Sequence, residues 1–176
     1  MTRVVLSIGS NLGDRLARLQ SAVDGLGGLG ASVGAVSPVY ETAPWGGVEQ
    51  GPFLNAVLIA EDPSWDAHAW LRAGKQLEQA AERVRGQRWG PRTLDVDLVT
   101  CWAGATEVVM REPELTLPHP LAHLRAFVLM PWLDIDPQAR LTVAGMSTPV
   151  TRLLEDIEPT DVAGVMPTDL TLRPRV

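Results

Sequence analysis

Apolar positions along the chain follow two different periods. Residues 4–8, Val-Val-Leu-Ser-Ile, form a short apolar run that predicts a buried strand ending at Gly9-Ser10-Asn11. Leu12, Leu16, Leu19, Val23 and Leu26 then recur at helical spacing, which predicts a helix over 12–26 with one apolar face. The run Gly25-Leu26-Gly27-Gly28-Leu29-Gly30 is expected to stop it. A second strand is expected over 31–41 with an interruption at Pro38, a third over 53–61, and a long helix over 65–84. Residues 43–52 are too rich in Gly and Pro for regular structure. A fourth strand ends at Cys101, and a short one is expected over 107–110 after a turn at Ala103-Gly104-Ala105. Helices are expected within 121–133 and over 148–156. The order β-α-β-β-α-β, with additions, predicts an α+β, ferredoxin-like fold: an antiparallel sheet with helices packed on both faces. Residues 1–158 read as one domain, and 159–176 as an irregular tail, packed on the surface or frayed.

One stretch is more than an amphipathic strand. Arg88-Trp89-Gly90-Pro91-Arg92-Thr93-Leu94-Asp95-Val96-Asp97-Leu98-Val99 strings arginines and a Gly-Pro loop onto the start of the fourth strand. Side chains alternate along a strand, so Leu94, Val96 and Leu98 share one face, and Asp95 and Asp97 the other. At a rise of about 3.3 Å per residue the two carboxylates sit about 7 Å apart along the strand, less if the side chains converge. Two hard-oxygen ligands at that spacing hold one divalent cation or share two. Arg88 and Arg92 are placed to receive phosphates that such a cation carries. A polar stripe facing water is the plainer explanation. Yet Asp is depleted in strands, and two mutually repelling carboxylates side by side need a reason. The stretch reads as a magnesium–nucleotide site.

The totals narrow the rest. A chain of 176 residues, 45% hydrophobic and 20% charged, suits one domain with a real core. A net charge of −6 argues against nucleic acid as a partner of the whole surface. Lys75 is the only lysine, whereas Arg83, Arg85, Arg88 and Arg92 crowd together. Guanidinium groups fork onto phosphate oxygens bidentately, which an ammonium does not. Cys101 stands alone, so neither an intrachain disulfide nor a cysteine zinc cluster is possible. No segment approaches the roughly 20 apolar residues that span a bilayer, and the N-terminus has no signal-like apolar run. No membrane partner and a cytoplasmic location are expected.

Three motifs fail on context. Gly25-Leu26-Gly27-Gly28-Leu29-Gly30 fits G-x-G-x-x-G by letter, but it closes a helix instead of opening one after a strand. Gly74-Lys75 lies within an expected helix and lacks the other residues of a phosphate-binding P-loop. Ser7, Ser10 and Cys101 have no nucleophile-elbow context, so hydrolase chemistry has little support.

Four further stretches carry candidate chemistry. Ser7-Ile8-Gly9-Ser10-Asn11-Leu12-Gly13-Asp14 is a strand-to-helix junction for which capping by Ser10 or Asn11 is sufficient reason. Phe53 and Asn55, two apart on one strand, share a face that suits a flat heterocycle, though packing explains either. Leu117-Pro118-His119-Pro120 holds a histidine rigidly between prolines, and Arg125-Ala126-Phe127 adds a cation and a ring.

Together these stretches resemble the 6-hydroxymethyl-7,8-dihydropterin pyrophosphokinase family, which moves pyrophosphate from ATP to a pterin alcohol in folate biosynthesis. The resemblance runs from about residue 4 to 137, with Tyr40-Glu41-Thr42 in the family's order among the motifs above. It implies that Asp95 and Asp97 bind two magnesium ions bridging the phosphates of ATP, the co-substrate. Arg83, Arg85 and Arg92 would clamp those phosphates, His119 and Arg125 would add contacts, and Glu78 would border the nucleotide. The pterin would lie between Phe53 and Phe127, with Asn55 and the backbone around Thr42, Ala43 and Trp45 reading its polar edge. Trp89 would help close the site, and the loops over 43–52 and 86–93 would exclude water on closing. A monomer is expected. Phe53 stands where the family often has Tyr, and Trp45 where a smaller aliphatic residue is common, so the pocket rim is expected to differ. Another Mg-ATP-dependent kinase of a small alcohol, or a nucleotide-binding module without turnover, remains the alternative.

Overall fold

The apolar run at residues 4–8 is the middle of a longer strand, β1 (Thr2–Ser10), buried at every position except Arg3. The computed structural model describes residues 1–43, 51–83 and 93–174, and of Arg83 the backbone alone. Helix α1 (Arg15–Gly28) starts three residues later than expected, because Asp14 is the cap: its Oδ1 accepts the Ala17 N–H at 3.1 Å. It also outlasts Leu26 and gives way only near Gly30, whose φ of +102° is the left-handed conformation glycine adopts freely. The strand expected over 31–41 is two, β2 (Ser32–Val36) and β3 (Tyr40–Thr42). Pro38 donates no hydrogen bond, and Ser37 Oγ instead accepts the Val57 N–H at 2.8 Å in the gap between them.

The remaining elements are β4 (Phe53–Asp62), α2 (Ala67–Arg83), β5 (Asp95–Ala103), β6 (Thr106–Glu107), β7 (Met110–Arg111), β8 (Thr116–Leu117), α3 (Ala126–Ile135), β9 (Arg140–Val143), β10 (Met146–Pro149), α4 (Val150–Glu155), α5 (Pro159–Ala163) and β11 (Val165–Pro167). The short strand expected over 107–110 is split, β6 pairing with β5 and β7 with β8. The helix expected from residue 121 opens as a 3₁₀ turn, Ala122–Leu124, before α3. The short helix expected over 148–156 is α4, preceded by a hairpin of β9 and β10. Ala144 (φ 50°) and Gly145 (φ 78°) turn that hairpin.

Among the described residues the sheet runs β11-β3-β4-β1-β5-β6, with β2 also on β4, and every pairing is antiparallel. Its two faces carry two cores. Val4, Leu6, Ile8, Ala56, Leu58, Val96 and Leu98 pack on α1 and α2 through Leu19, Val23, Leu26, Trp70 and Leu77. On the other face Val5, Tyr40, Val57 and Val99 pack on α3 and α4 through Val128, Leu129, Trp132, Val150 and Leu153. Residues 159–174, expected as an irregular tail, extend this sheet: Val165 pairs with Thr42, Met166 with Glu41 and Pro167 with Tyr40. Gln20 then pins Arg173 by two hydrogen bonds, 2.8 and 2.9 Å.

The second face changes character along its length. Stepping by two along β1 from Val5, the side chains become Ser7 and then Gly9. Opposite them on β4 stand Val57 and Asn55, and on β5 stand Asp97 and Asp95. The apolar half is covered by α3 and α4. The polar half is left open.

Candidate functional site

That uncovered half is the floor of a cavity of about 610 Å³. The floor crosses five strands: Val165 on β11, Thr42 on β3, Phe53 and Asn55 on β4, Ser7 and Gly9 on β1, and Asp95 and Asp97 on β5. Leu121, Leu124, Arg125, Ala126 and Phe127, from the 3₁₀ turn and the start of α3, overhang it, and Asp161 reaches it from α5.

Register explains the convergence. Gly9 pairs with Asn55 on one side and with Asp95 on the other, so the amide and the carboxylate flank a residue without a side chain. The vacancy is used: a Cβ on Gly9 would lie 2.8 Å from Asn55 Oδ1 and 3.7 Å from the Phe53 ring. Asn55 is buried, and its Nδ2 donates to Thr42 Oγ1 at 2.8 Å, which fixes the amide and turns its oxygen toward Gly9. Across the ladder from Asn55, Tyr40 donates its hydroxyl to the Asp134 carboxylate. Burial, and then that hydrogen bond, push the phenol up to about 12, so it stays neutral.

At the other end Arg125 reaches Asp97 at 3.7 Å and lies over the Phe127 ring, 5.7 Å from its centroid. Both partners of the ion pair are partly exposed, at 30% and 46%, so the pair is weak and easily exchanged for a stronger ligand. Glu78, on α2, accepts the Val96 N–H at 3.0 Å, tying that helix to the strand between the two aspartates. His119 is anchored by its N–H to Val99 O at 2.8 Å, and its Nδ1 accepts the Leu121 N–H at 3.1 Å. Burial pushes its imidazole below the usual range, with Arg125 acting in the same direction and Asp97 against it. A neutral ring with Nδ1 accepting carries its proton on Nε2, a donor suited to an anionic oxygen.

Of the residues singled out from sequence, the structure brings Thr42, Ala43, Phe53, Asn55, Asp95, Asp97, Arg125 and Phe127 to this one cavity. Glu78 and His119 contact strand β5 beside it. Trp45, Arg85, Trp89 and Arg92 lie outside the described residues, and Arg83 is placed only as the last residue of α2. Sequence reasoning missed Leu121, Leu124, Asp161 and Val165, none of which belongs to a motif, and gave Gly9 no more than a place in a junction. Among the described residues no three His, Cys, Asp or Glu side chains gather as a metal cluster. The donor set nevertheless fits magnesium, which commonly takes one or two carboxylates from a protein and completes its octahedron with phosphate oxygens and water.

A sequence profile of the family described as 7,8-dihydro-6-hydroxymethylpterin-pyrophosphokinase (HPPK) matches residues 5–137, ending before β9. The chain is 65% identical over 166 residues to the 2-amino-4-hydroxy-6-hydroxymethyldihydropteridine pyrophosphokinase of Mycobacterium tuberculosis, covering 92% of this chain and 87% of that one. The enzyme of the same name from Methylorubrum extorquens is 39% identical over 166 residues, covering 94% and 99%. Among solved structures, wild-type Plasmodium falciparum HPPK-DHPS with pterin and p-hydroxybenzoate superposes with a TM-score of 0.65 at 13% identity. That match covers 88% of this chain and 42% of the solved one, so the chain spans less than half of that longer protein. At that identity the likeness speaks for the fold alone.

Proposed function

This chain belongs to the 7,8-dihydro-6-hydroxymethylpterin-pyrophosphokinase family, and from that premise we infer that it transfers pyrophosphate from ATP to the hydroxymethyl group of 6-hydroxymethyl-7,8-dihydropterin. The products are the pterin diphosphate and AMP, and the step belongs to folate biosynthesis. The observation that carries the reading at the level of the site is one cavity whose floor holds a ring-and-amide slot on β4 and a carboxylate pair on β5, two strands away.

The pterin would lie between Phe53 and Phe127, its polar edge read by Asn55 and by the backbone around Thr42, Ala43 and Trp45. Asp95 and Asp97 would hold two magnesium ions, which would neutralise the phosphates and stabilise the attacking and leaving oxygens. Arg125 exchanges its weak pairing with Asp97 for a phosphate oxygen as the nucleotide arrives. His119 donates from Nε2 to the same polyanion, Glu78 borders the nucleotide, Arg83, Arg85 and Arg92 would clamp the phosphates, and Trp89 would help close the site. Catalysis of this kind needs no protein nucleophile. It needs charge neutralisation and in-line placement of the hydroxymethyl oxygen on the β-phosphorus. The rigid sheet floor supplies the placement, because every floor residue is fixed by strand register.

We read the fold as ferredoxin-like, with the pyrophosphokinase domain over residues 1–158 and the tail from residue 159 joined to its edge through β11. The enzyme works as a monomer in the cytoplasm; among the described residues no helix is long and apolar enough to cross a membrane.

Incubation with ATP, magnesium and the pterin alcohol, with products identified by mass, tests the reaction. AMP and the pterin diphosphate in equal amounts are expected. ADP with a pterin monophosphate would mark a different kinase, and no turnover would leave only a binding module.

A further inference from the structure

The chemistry of the cavity is graded along its floor. At the β5 end stand Asp95 and Asp97, toward which the reacting hydroxymethyl oxygen must point if the pyrophosphokinase reading is right. Four strand spacings away, about 19 Å across the sheet, the opposite end is closed by Val165 on β11. The helix immediately before that strand, α5, brings Asp161 into the same cavity.

A pterin whose hydroxymethyl arm faces β5 turns its pyrimidine ring toward β3 and β11. That ring edge is rich in donors: the 2-amino group and N3–H. Beside the backbone of Thr42 and Ala43, few of the described side chains of the slot are acceptors for them. The Asn55 Nδ2 is committed to Thr42 Oγ1, which leaves a single amide oxygen, Oδ1, for the substrate. Apart from the β5 pair, Asp161 is the one carboxylate among the described residues lining the cavity. We propose that Asp161 is a specificity-determining residue of the pterin pocket, its carboxylate accepting a hydrogen bond from the 2-amino edge of the ring.

The tail is thereby a working wall of the site. Its strand is held against β3 at Thr42 and Val165, so α5, which carries Asp161, runs straight into the sheet that positions Asn55. Asp161 also lies in the first turn of α5, where a carboxylate suits the helix end for its own sake, so the test must read recognition and not stability.

Steady-state kinetics on Asp161→Ala and Asp161→Asn supply that reading, with 6-hydroxymethyl-7,8-dihydropterin and with its analogue bearing hydrogen in place of the 2-amino group. Loss of a hydrogen bond to a charged acceptor should raise the pterin KM of Asp161→Ala about tenfold, with the ATP KM unchanged. The KM for the analogue should scarcely move, because it lacks the donor. A pterin KM within about twofold of the parent enzyme, or an equal loss with both substrates, would overturn the assignment. Failure of the unaltered enzyme to form pterin diphosphate would instead count against the pyrophosphokinase reading on which this rests.

Discussion

Asp97→Asn is expected to lower kcat by about 10²–10³-fold while leaving the protein folded and still able to bind pterin. Asp97 lies on the open half of the sheet face, where its neighbours are Ser7 across the ladder and Arg125 at 3.7 Å. Removing its charge costs little in stability, since the half-exposed pair with Arg125 is worth at most about 1 kcal/mol. The loss falls on the reaction. An amide retains the shape of the carboxylate but not the charge that holds a divalent cation against phosphate oxygens. The ring slot is separate, because Phe53 and Asn55 lie on β4, with β1 between them and Asp97. Stopped-flow or product-release assays should therefore show collapsed turnover, and calorimetry should show pterin binding retained. Turnover near that of the parent enzyme would remove Asp97 from the machinery.

Gly9→Val should damage the opposite half of the site. Expected is a fall of about 10²-fold in kcat/KM for the pterin, with ATP binding nearly intact. The cause is space rather than backbone freedom. The first added carbon already meets Asn55 Oδ1 at 2.8 Å, and the branched methyls have the Phe53 ring as their next neighbour. Asn55 cannot yield easily, since it is buried and tied to Thr42. The amide must leave its hydrogen bond or the valine must occupy the slot, and either spoils ring placement. Gly9→Ala should fall between the two, so a graded series in pterin KM is the signature to look for. An unaltered pterin KM in the valine variant would mean that the ring binds elsewhere.

Strand periodicity made the chemical centre readable in advance. Asp95 and Asp97 had to share a face once 94–101 was a strand, and Phe53 and Asn55 likewise, because alternation is a property of one segment alone. The type and approximate extent of α1, α2 and β4 followed from local patterning for the same reason, although α1 begins three residues later than its apolar spacing predicts. What the sequence did not disclose depends on pairing between distant segments. Gly9 matters because β4 and β5 both register on it, and nothing local to Gly9 says so. Asp161 and Val165 reach the cavity only because β11 finds the free edge of β3, a three-residue pairing too short to leave a pattern. The break between β2 and β3 was marked by Pro38, but that both halves pair with β4 was not. The β9–β10 hairpin turns at Ala144-Gly145, with a positive φ at an alanine that composition does not announce.

The carboxylate pair and the ring slot lie side by side on the floor of a single cavity. Manganese substituted for magnesium, with a non-hydrolysable ATP analogue and the pterin alcohol, reads that proximity through paramagnetic relaxation of the pterin protons. Strong broadening of the hydroxymethyl protons, weaker broadening toward the 2-amino edge, and loss of both in Asp97→Asn are the predicted outcome. Pterin bound with unbroadened hydroxymethyl protons while manganese and nucleotide are also bound would contradict it.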